Sequence, residues 1–530
     1  MLRSMRWTSR VTLGLIVAFG AAIRATGFSR GDLWFDDAWV AVPARVPLSE
    51  AVHLVNTTPL FSLFMRSWIG LWQNQTWWAQ LPAYLAGLAA IVAVYRLLRF
   101  FQQSETLSLL GAGVIAVSPI VVDYSTRLKQ YNLDILFACG LLVLFEKWRR
   151  SGTTRHALQV GALGALSLLT TGSTIVIIAP MLGLMVLSSV RERARRMGAL
   201  LAVGGVAVTF ALEWVVWLSH LSHGLFVGWR NRGYLLDLRS THRFWFSLQT
   251  MGSQFFHWMI DLPTGHRPDP DKHVTNLGLT MAVLAAVFFL AVIAPSLWAL
   301  IRRPLALPRP TTAAALSLAF AIVLGLAGKS PFGGGRTDEV LYPGLVLLGA
   351  VLLSFLSSKV TTPLAWRRGL LAISMAALVL VGVRNTATYP SINLRDPVAQ
   401  MQEVRQPNDW VIVDPWLGFT WAAAGISETN ISREMDMFGW SQGYYITGDQ
   451  RTIFSSNYFF PSWEYPYLQD HSTRLWYVAE TGSWAWPKTD RTDKPYMTRN
   501  LADLIKRGWV QTGPIFTGDH VQVFLMEYRP

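Results

Sequence analysis

Asp36 and Asp37 stand side by side in Leu33-Trp-Phe-Asp-Asp-Ala-Trp39, just after the first apolar segment of the chain. Two adjacent carboxyls in a partly apolar setting repel each other and are poorly solvated. At least one of them gains affinity for a proton, which suits a general base. An acidic pair also serves as an ordinary solvated turn, and the residue types leave both readings open.

A second constellation is Ser118-Pro-Ile-Val-Val-Asp-Tyr-Ser-Thr-Arg-Leu-Lys-Gln-Tyr-Asn-Leu-Asp134, at a turn between two apolar segments. A helix starting near Arg127 would stack Arg127, Gln130, Tyr131 and Asp134 at three- and four-residue spacing on one face. Arg127 and Lys129 are then candidates for an anionic headgroup. Snorkelling to lipid, with Asp123 or Asp134 as a salt-bridge partner, is the competing reading. The third constellation is Lys329-Ser-Pro-Phe-Gly-Gly-Gly-Arg-Thr-Asp-Glu339. Its glycines let the backbone approach a ligand, the helix start beyond favours an anion, and Arg336 adds charge. A flexible loop reads the same way. Arg24 either holds a phosphate beside the acidic pair or anchors a helix end. Glu213 sits near a helix end, where an acid is costly and therefore suggestive. His53, His257 and His266 have no metal-ligand spacing, and neither a phosphate-cradling nor a dinucleotide glycine pattern is present.

These residues need elements to hold them, and hydropathy supplies most of the outline. Apolar runs recur from Val11 to Val383, long enough to cross a bilayer at roughly 20 helical residues each. Spans are expected near 11–23, 80–98, 107–122, 131–145, 157–170, 174–190, 198–218, 277–300, 311–327, 340–356 and 369–383, about eleven in all. The net charge of +14, from 46 Lys and Arg against 32 Asp and Glu, would suggest nucleic acid in a soluble protein. Here it gathers beside the spans, as in Arg3, Arg6 and Arg10, or Arg191, Arg193, Arg195 and Arg196. The positive-inside rule puts such clusters in the cytoplasm, so the bilayer is the expected partner and nucleic acid is not. An odd number of spans then leaves the C-terminus outside. A cleaved signal peptide is the alternative for the first segment, but charge alternation along the later segments favours retaining it.

The expected fold is a polytopic α-helical membrane domain over 1–384, with long outer loops 24–78 and 219–276, followed by an extracytoplasmic α/β domain over 385–530. Loop 219–276 is aromatic and basic, which suits either an amphipathic segment on the lipid interface or a simple aromatic belt. In the C-terminal domain, Trp410–Asp414, Arg474–Val478 and Val521–Glu527 read as strands and Ala502–Arg507 as a helix turning at Gly508. The one cysteine, Cys139, lies inside an apolar run and excludes an internal disulfide.

The order of these pieces resembles the GT-C membrane glycosyltransferases, and within them the bacterial relatives of protein O-mannosyltransferases and of the lipid A aminoarabinose transferase. The resemblance is carried by an arginine ending the first helix, Leu-Trp-Phe-Asp-Asp-Ala on the first outer loop and Thr57-Thr-Pro-Leu-Phe-Ser-Leu-Phe64. It continues in Lys129-Gln-Tyr131 with Asp134, and in Gly334-Gly-Arg-Thr-Asp338. It implies a polyprenyl-phosphate sugar as donor, Asp36 as catalytic base with Asp37 beside it, and inversion at the anomeric carbon. Lys129, Arg336, Arg127 and Arg24 are the expected phosphate-binding cations, and Tyr131, Asp134, Asp338 and His53 the expected substrate contacts. The acceptor is a glycan, a lipid or a protein. No cofactor is expected, a divalent metal being the open alternative. Two departures stand out: Arg127 occupies a position where relatives often carry an acid, and Thr57-Thr58 stands where the aminoarabinose transferases carry charged residues. A transporter or flippase for an anionic lipid-linked sugar is the rival function, although no internal repeat supports it. A membrane-anchored binding protein is a third.

Overall fold

A computed structural model describes residues 7–28, 31–33, 35–41, 57–71, 76–216, 229–231, 233–260, 310–332, 338–359, 392–424, 445–446, 451–454, 474–480, 504–519 and 521–529, with isolated positions elsewhere. The chain divides into two compact units. One comprises Met1–Phe28, Thr58–Phe61 and Leu81–Thr388; the other comprises Ser29–Thr57, Ser62–Gln80 and Tyr389–Pro530. The first outer loop thus groups largely with the C-terminal region.

The first unit is helical. Helices occupy the expected segments from residue 11 to 216, one of them broken, and again over Pro310–Leu326 and Tyr342–Lys359. The segments expected over 277–300 and 369–383 lie largely outside the described residues. Among the described residues, Thr76–Phe100 and the helix beginning at Arg193 are long and apolar enough on their own to cross a membrane. The helix Arg193–Val216 presents Leu200, Leu201, Val208, Leu212 and Val215 outward, while Ala199, Ala202 and Val206 are buried. An apolar face turned outward, with small residues at the helix contact, is how a helix in lipid packs. It lies against Thr154–Thr171, where Ala202 approaches Gly161.

One expected helix is broken. In place of a single segment over 107–122, helix Glu105–Val117 ends at Ser118 and a short helix, Pro119–Tyr124, follows. Pro119 has no N–H to continue the ladder and drives the residue before it out of the helical region, so Ser118 adopts φ −55°, ψ 123°. The next helix starts at Tyr131, where the span over 131–145 is expected, and not near Arg127 as the stacking reading requires, because Ser125–Gln130 forms a turn tied backward to Asp123.

The second unit carries a six-stranded sheet in the order β2-β3-β1-β4-β6-β5. Its strands are β1 (Trp410–Val413), β2 (Tyr445–Ile446), β3 (Thr452–Phe454), β4 (Arg474–Glu480), β5 (Trp509–Gly518) and β6 (Val521–Tyr528). β1 lies between β3 and β4, parallel to both, while β4, β6 and β5 form an antiparallel run. Both faces of the sheet are covered, so β1 and β4 read as unbroken apolar runs. Val411, Val413, Trp476 and Val478 meet helices Arg395–Val404 and Pro415–Ala424 on one face; Ile412, Leu475 and Tyr477 meet Leu504 and Trp509 on the other. The expected strands at 410, 474 and 521 are present. β5 lies beyond the three expected strands: its burial is irregular and its pairing with β6 shifts register between Gln511 and Ile515.

Candidate active site

The expected residues are divided between the two units. In the helical unit, Arg24 closes helix Trp7–Ala25 and is fully buried. Its Nε donates to Ser125 Oγ at 2.8 Å, Nη1 to the carbonyls of Gly20 at 3.0 Å and Ala116 at 2.8 Å, and Nη2 to that of Ile115 at 3.2 Å. A guanidinium has five N–H donors, and most are engaged by the protein itself. Arg24 therefore ties the first helix to the end of Glu105–Val117, which is the anchoring alternative of the sequence reading.

Ser125 passes the network on. Asn132, fully buried, meets every partner when its amide nitrogen faces Glu339: it then donates to Oε2 at 3.0 Å and accepts from the Ser125 N–H at 3.0 Å. This contact is close enough to exclude any side chain on Gly87, where a Cβ would stand 2.0 Å from Ser125 Oγ. Glu339 opens the 3-10 turn Glu339–Leu341 and is fully buried, and its Oε1 has no hydrogen-bond partner among the described residues. A few residues along the helix that carries Asn132, Asp134 accepts from Ser173 Oγ through Oδ2, and its Oδ1 has no such partner. Each of these two buried carboxyl groups thus keeps one oxygen for which the described residues supply no hydrogen bond.

Arg127 is not on the face of Asp134. It pairs with Asp123, Nη2 to Oδ1 at 3.0 Å, and lies over the Tyr124 ring. The Tyr124 ring meets Tyr131 edge-on with 4.9 Å between centroids. The expected four-residue stack is thus replaced by a salt bridge across the turn, since the helix begins four residues after Arg127. Lys129 and Asp338 are buried. Glu213 is buried too, with Oε1 lacking a partner; it and the Thr58 methyl face the same point above Gly172, at 3.6 and 3.3 Å from where a Cβ would be. Arg336 and His53 lie outside the described residues.

In the sheet-bearing unit, the acidic pair opens a short helix, Phe35–Ala41. Asp37 is fully buried there, among Ala38, Trp39 and Val40. Asp36 precedes it in the same helix, and its side chain lies outside the described residues. Among the described residues no three His, Cys, Asp or Glu side chains converge as a metal set.

Sequence reasoning missed Asn132 and Glu339 as partners. Both stand inside motifs singled out for other residues, and nothing local marks an asparagine on a helix as the neighbour of an acid some two hundred residues later.

The architecture and the motif order now meet the comparisons with known proteins. The Dolichyl-phosphate-mannose-protein mannosyltransferase family matches residues 56–217. The structure is similar to that of ArnT from Cupriavidus metallidurans in the apo state, at 14% identity over 97% of each chain and a TM-score of 0.50. It is also similar to ArnT from Cupriavidus metallidurans bound to undecaprenyl phosphate, at 13% identity over 98% of each chain and a TM-score of 0.51. Among curated protein sequences none matches. The chain has an ArnT-like GT-C fold: a helical region with a small C-terminal sheet region. Its resemblance to the GT-C membrane glycosyltransferases rests on family and fold together.

Proposed function

We propose that this chain transfers a sugar from a polyprenyl-phosphate carrier to an acceptor hydroxyl on the outer face of the cytoplasmic membrane. The observation that carries this reading is the acidic pair, followed in order by Lys129-Gln-Tyr131, Asp134 and Gly334–Asp338, in a chain with an ArnT-like fold. Asp36 is the general base. The acceptor oxygen attacks the anomeric carbon as its proton passes to the Asp36 carboxylate. The bond from that carbon to the carrier phosphate breaks, and the phosphate leaves with the electron pair. A single displacement inverts the anomeric centre.

Asp37 is the acid partner of the base, and Lys129 and Arg336 receive the departing phosphate. Arg127 and Arg24 act around them through Asp123 and Ser125, their partners here. Tyr131, Asp134, Asp338 and His53 contact the substrate, with the open oxygen of Asp134 accepting a hydroxyl. In this reading residues 1–384 form the transmembrane domain, with the N-terminus cytoplasmic, and 385–530 lie outside.

The test is Asp36→Asn in a strain lacking the native protein. Mass spectrometry of its envelope glycans, lipids and proteins should show the wild-type product vanish while the membrane-inserted variant accumulates normally. Undiminished product from Asp36→Asn removes the base and, with it, this mechanism.

A further inference from the structure

The acidic pair sits on a helix of seven residues, Phe35–Ala41, too short to hold its own position in water or at an interface. Its placement must come from tethers, and the residues just ahead of it are bound to the C-terminal part of the same unit. Asp32 donates its backbone N–H to the Ile392 carbonyl at 2.6 Å. Its carboxylate Oδ2 accepts the N–H groups of Leu394 at 2.9 Å and Arg395 at 3.0 Å, and Oδ1 lies 3.1 Å from Arg395 Nε.

Those two amides open helix Arg395–Val404, whose own N-cap residue, Leu394, has no side chain to offer them. Asp32 therefore caps a helix 362 residues further along the chain. The approach is backbone to backbone, and Gly31 permits it: φ is +69°, and a Cβ there would stand 2.3 Å from the Ile392 carbonyl oxygen. One residue on, the Leu33 carbonyl accepts from Thr420 Oγ1 at 2.9 Å. Thr420 is fully buried in helix Pro415–Ala424, which packs along Phe35–Ala41. The receiving segment is itself anchored, since Asn393 N–H donates to the Asp519 carbonyl in the turn between β5 and β6, at 3.0 Å.

We infer that the sheet-bearing unit holds the acidic-pair helix in its reactive placement, with Asp32 and Thr420 as positioning residues. This rests on the transferase reading above and gives the C-terminal region a role in it. A displacement of about 1 Å at a reacting group costs on the order of 10²-fold in rate, so loosened tethers show in turnover before they show in folding.

Hydrogen exchange on the full-length protein in lipid nanodiscs, with Asp32→Ala and the gentler Thr420→Val, tests the tethering. Amides of 35–41 should exchange at least tenfold faster in both, while β1 and β4 keep their protection and undecaprenyl phosphate binds within twofold of wild type. In the deletion strain, product should fall at least tenfold for Asp32→Ala. Asp32→Asn should fall less, because its amide oxygen still accepts the two N–H groups. Unchanged exchange over 35–41 overturns the inference, and so does faster exchange with full product. Loss of protection across β1 and β4 in both variants also overturns it, since the two residues would then hold the sheet. Failure of the transferase reading shows separately, as full product from Asp36→Asn.

Discussion

Ser125 is where the helical unit concentrates its polar contacts: Arg24 donates to its hydroxyl, and Asn132 links it to Glu339. Gly87 makes the room for this on helix Thr76–Phe100. An added methyl would force the Ser125 side chain to turn away, leaving the buried Arg24 Nε without its acceptor. Gly87→Ala should therefore cost about 1–3 kcal/mol, an overpacked contact together with an orphaned donor. A lower unfolding midpoint in detergent is the measurement. Gly70, with nothing within 4 Å of its notional Cβ, is the control and as Gly70→Ala should leave the midpoint unchanged or slightly raised. None of this network could be read from residue types. Asn132 and Glu339 were visible only as neighbours of Lys129 and Arg336 in their motifs, because sequence records spacing along one helix and not which helix lies opposite.

Helix Thr76–Phe100 ends in a turn that hydropathy alone does not describe. Gln103 N–H bonds to the Leu98 carbonyl and Gln102 N–H to that of Arg99, the paired pattern that closes a helix around a left-handed residue. Gln102 occupies that position at φ +57°. A glycine would relieve the contact of Cβ with the backbone, offset in part by its greater freedom when unfolded. Gln102→Gly should raise stability by about 0.5–1 kcal/mol and Gln102→Ala should not, as read by thermal unfolding. Elements differ in how legible they are. The buried parallel strands β1 and β4 stand out as apolar runs, and Pro119 announces a break that the long apolar stretch around it conceals. β5 carries Gly513, Pro514 and a register shift, so no period-two pattern survives to mark it.

For the molecule as a whole, sidedness is the property that most constrains function. The proposed arrangement puts the sheet-bearing region outside and the basic turns inside, and the cysteine content makes it directly measurable. Cys139 is the one cysteine and it is buried, so a membrane-impermeant maleimide should find no native target in intact cells. Ile505→Cys, at an exposed position in the C-terminal region, should label in intact spheroplasts. Arg155→Cys, exposed near the start of helix Thr154–Thr171 on the proposed cytoplasmic side, should label only after lysis. Labelling of Arg155→Cys in sealed spheroplasts would invert the arrangement and remove an outward-facing site.

The amino-acid order alone determined the helical segments, three of the strands, the acidic pair and the resemblance to a family, because hydropathy, turn chemistry and motif spacing are written in neighbouring residues. Tertiary structure decided the roles of those pieces. It spent Arg24 on carbonyls, turned Arg127 back onto Asp123, and brought Glu339 to Asn132. It also set Asp32, just ahead of the acidic pair, as the cap of a helix near the other end of the chain. Such partners are chosen by packing across hundreds of residues, where burial makes an unmet hydrogen bond costly and so selects which distant groups must meet.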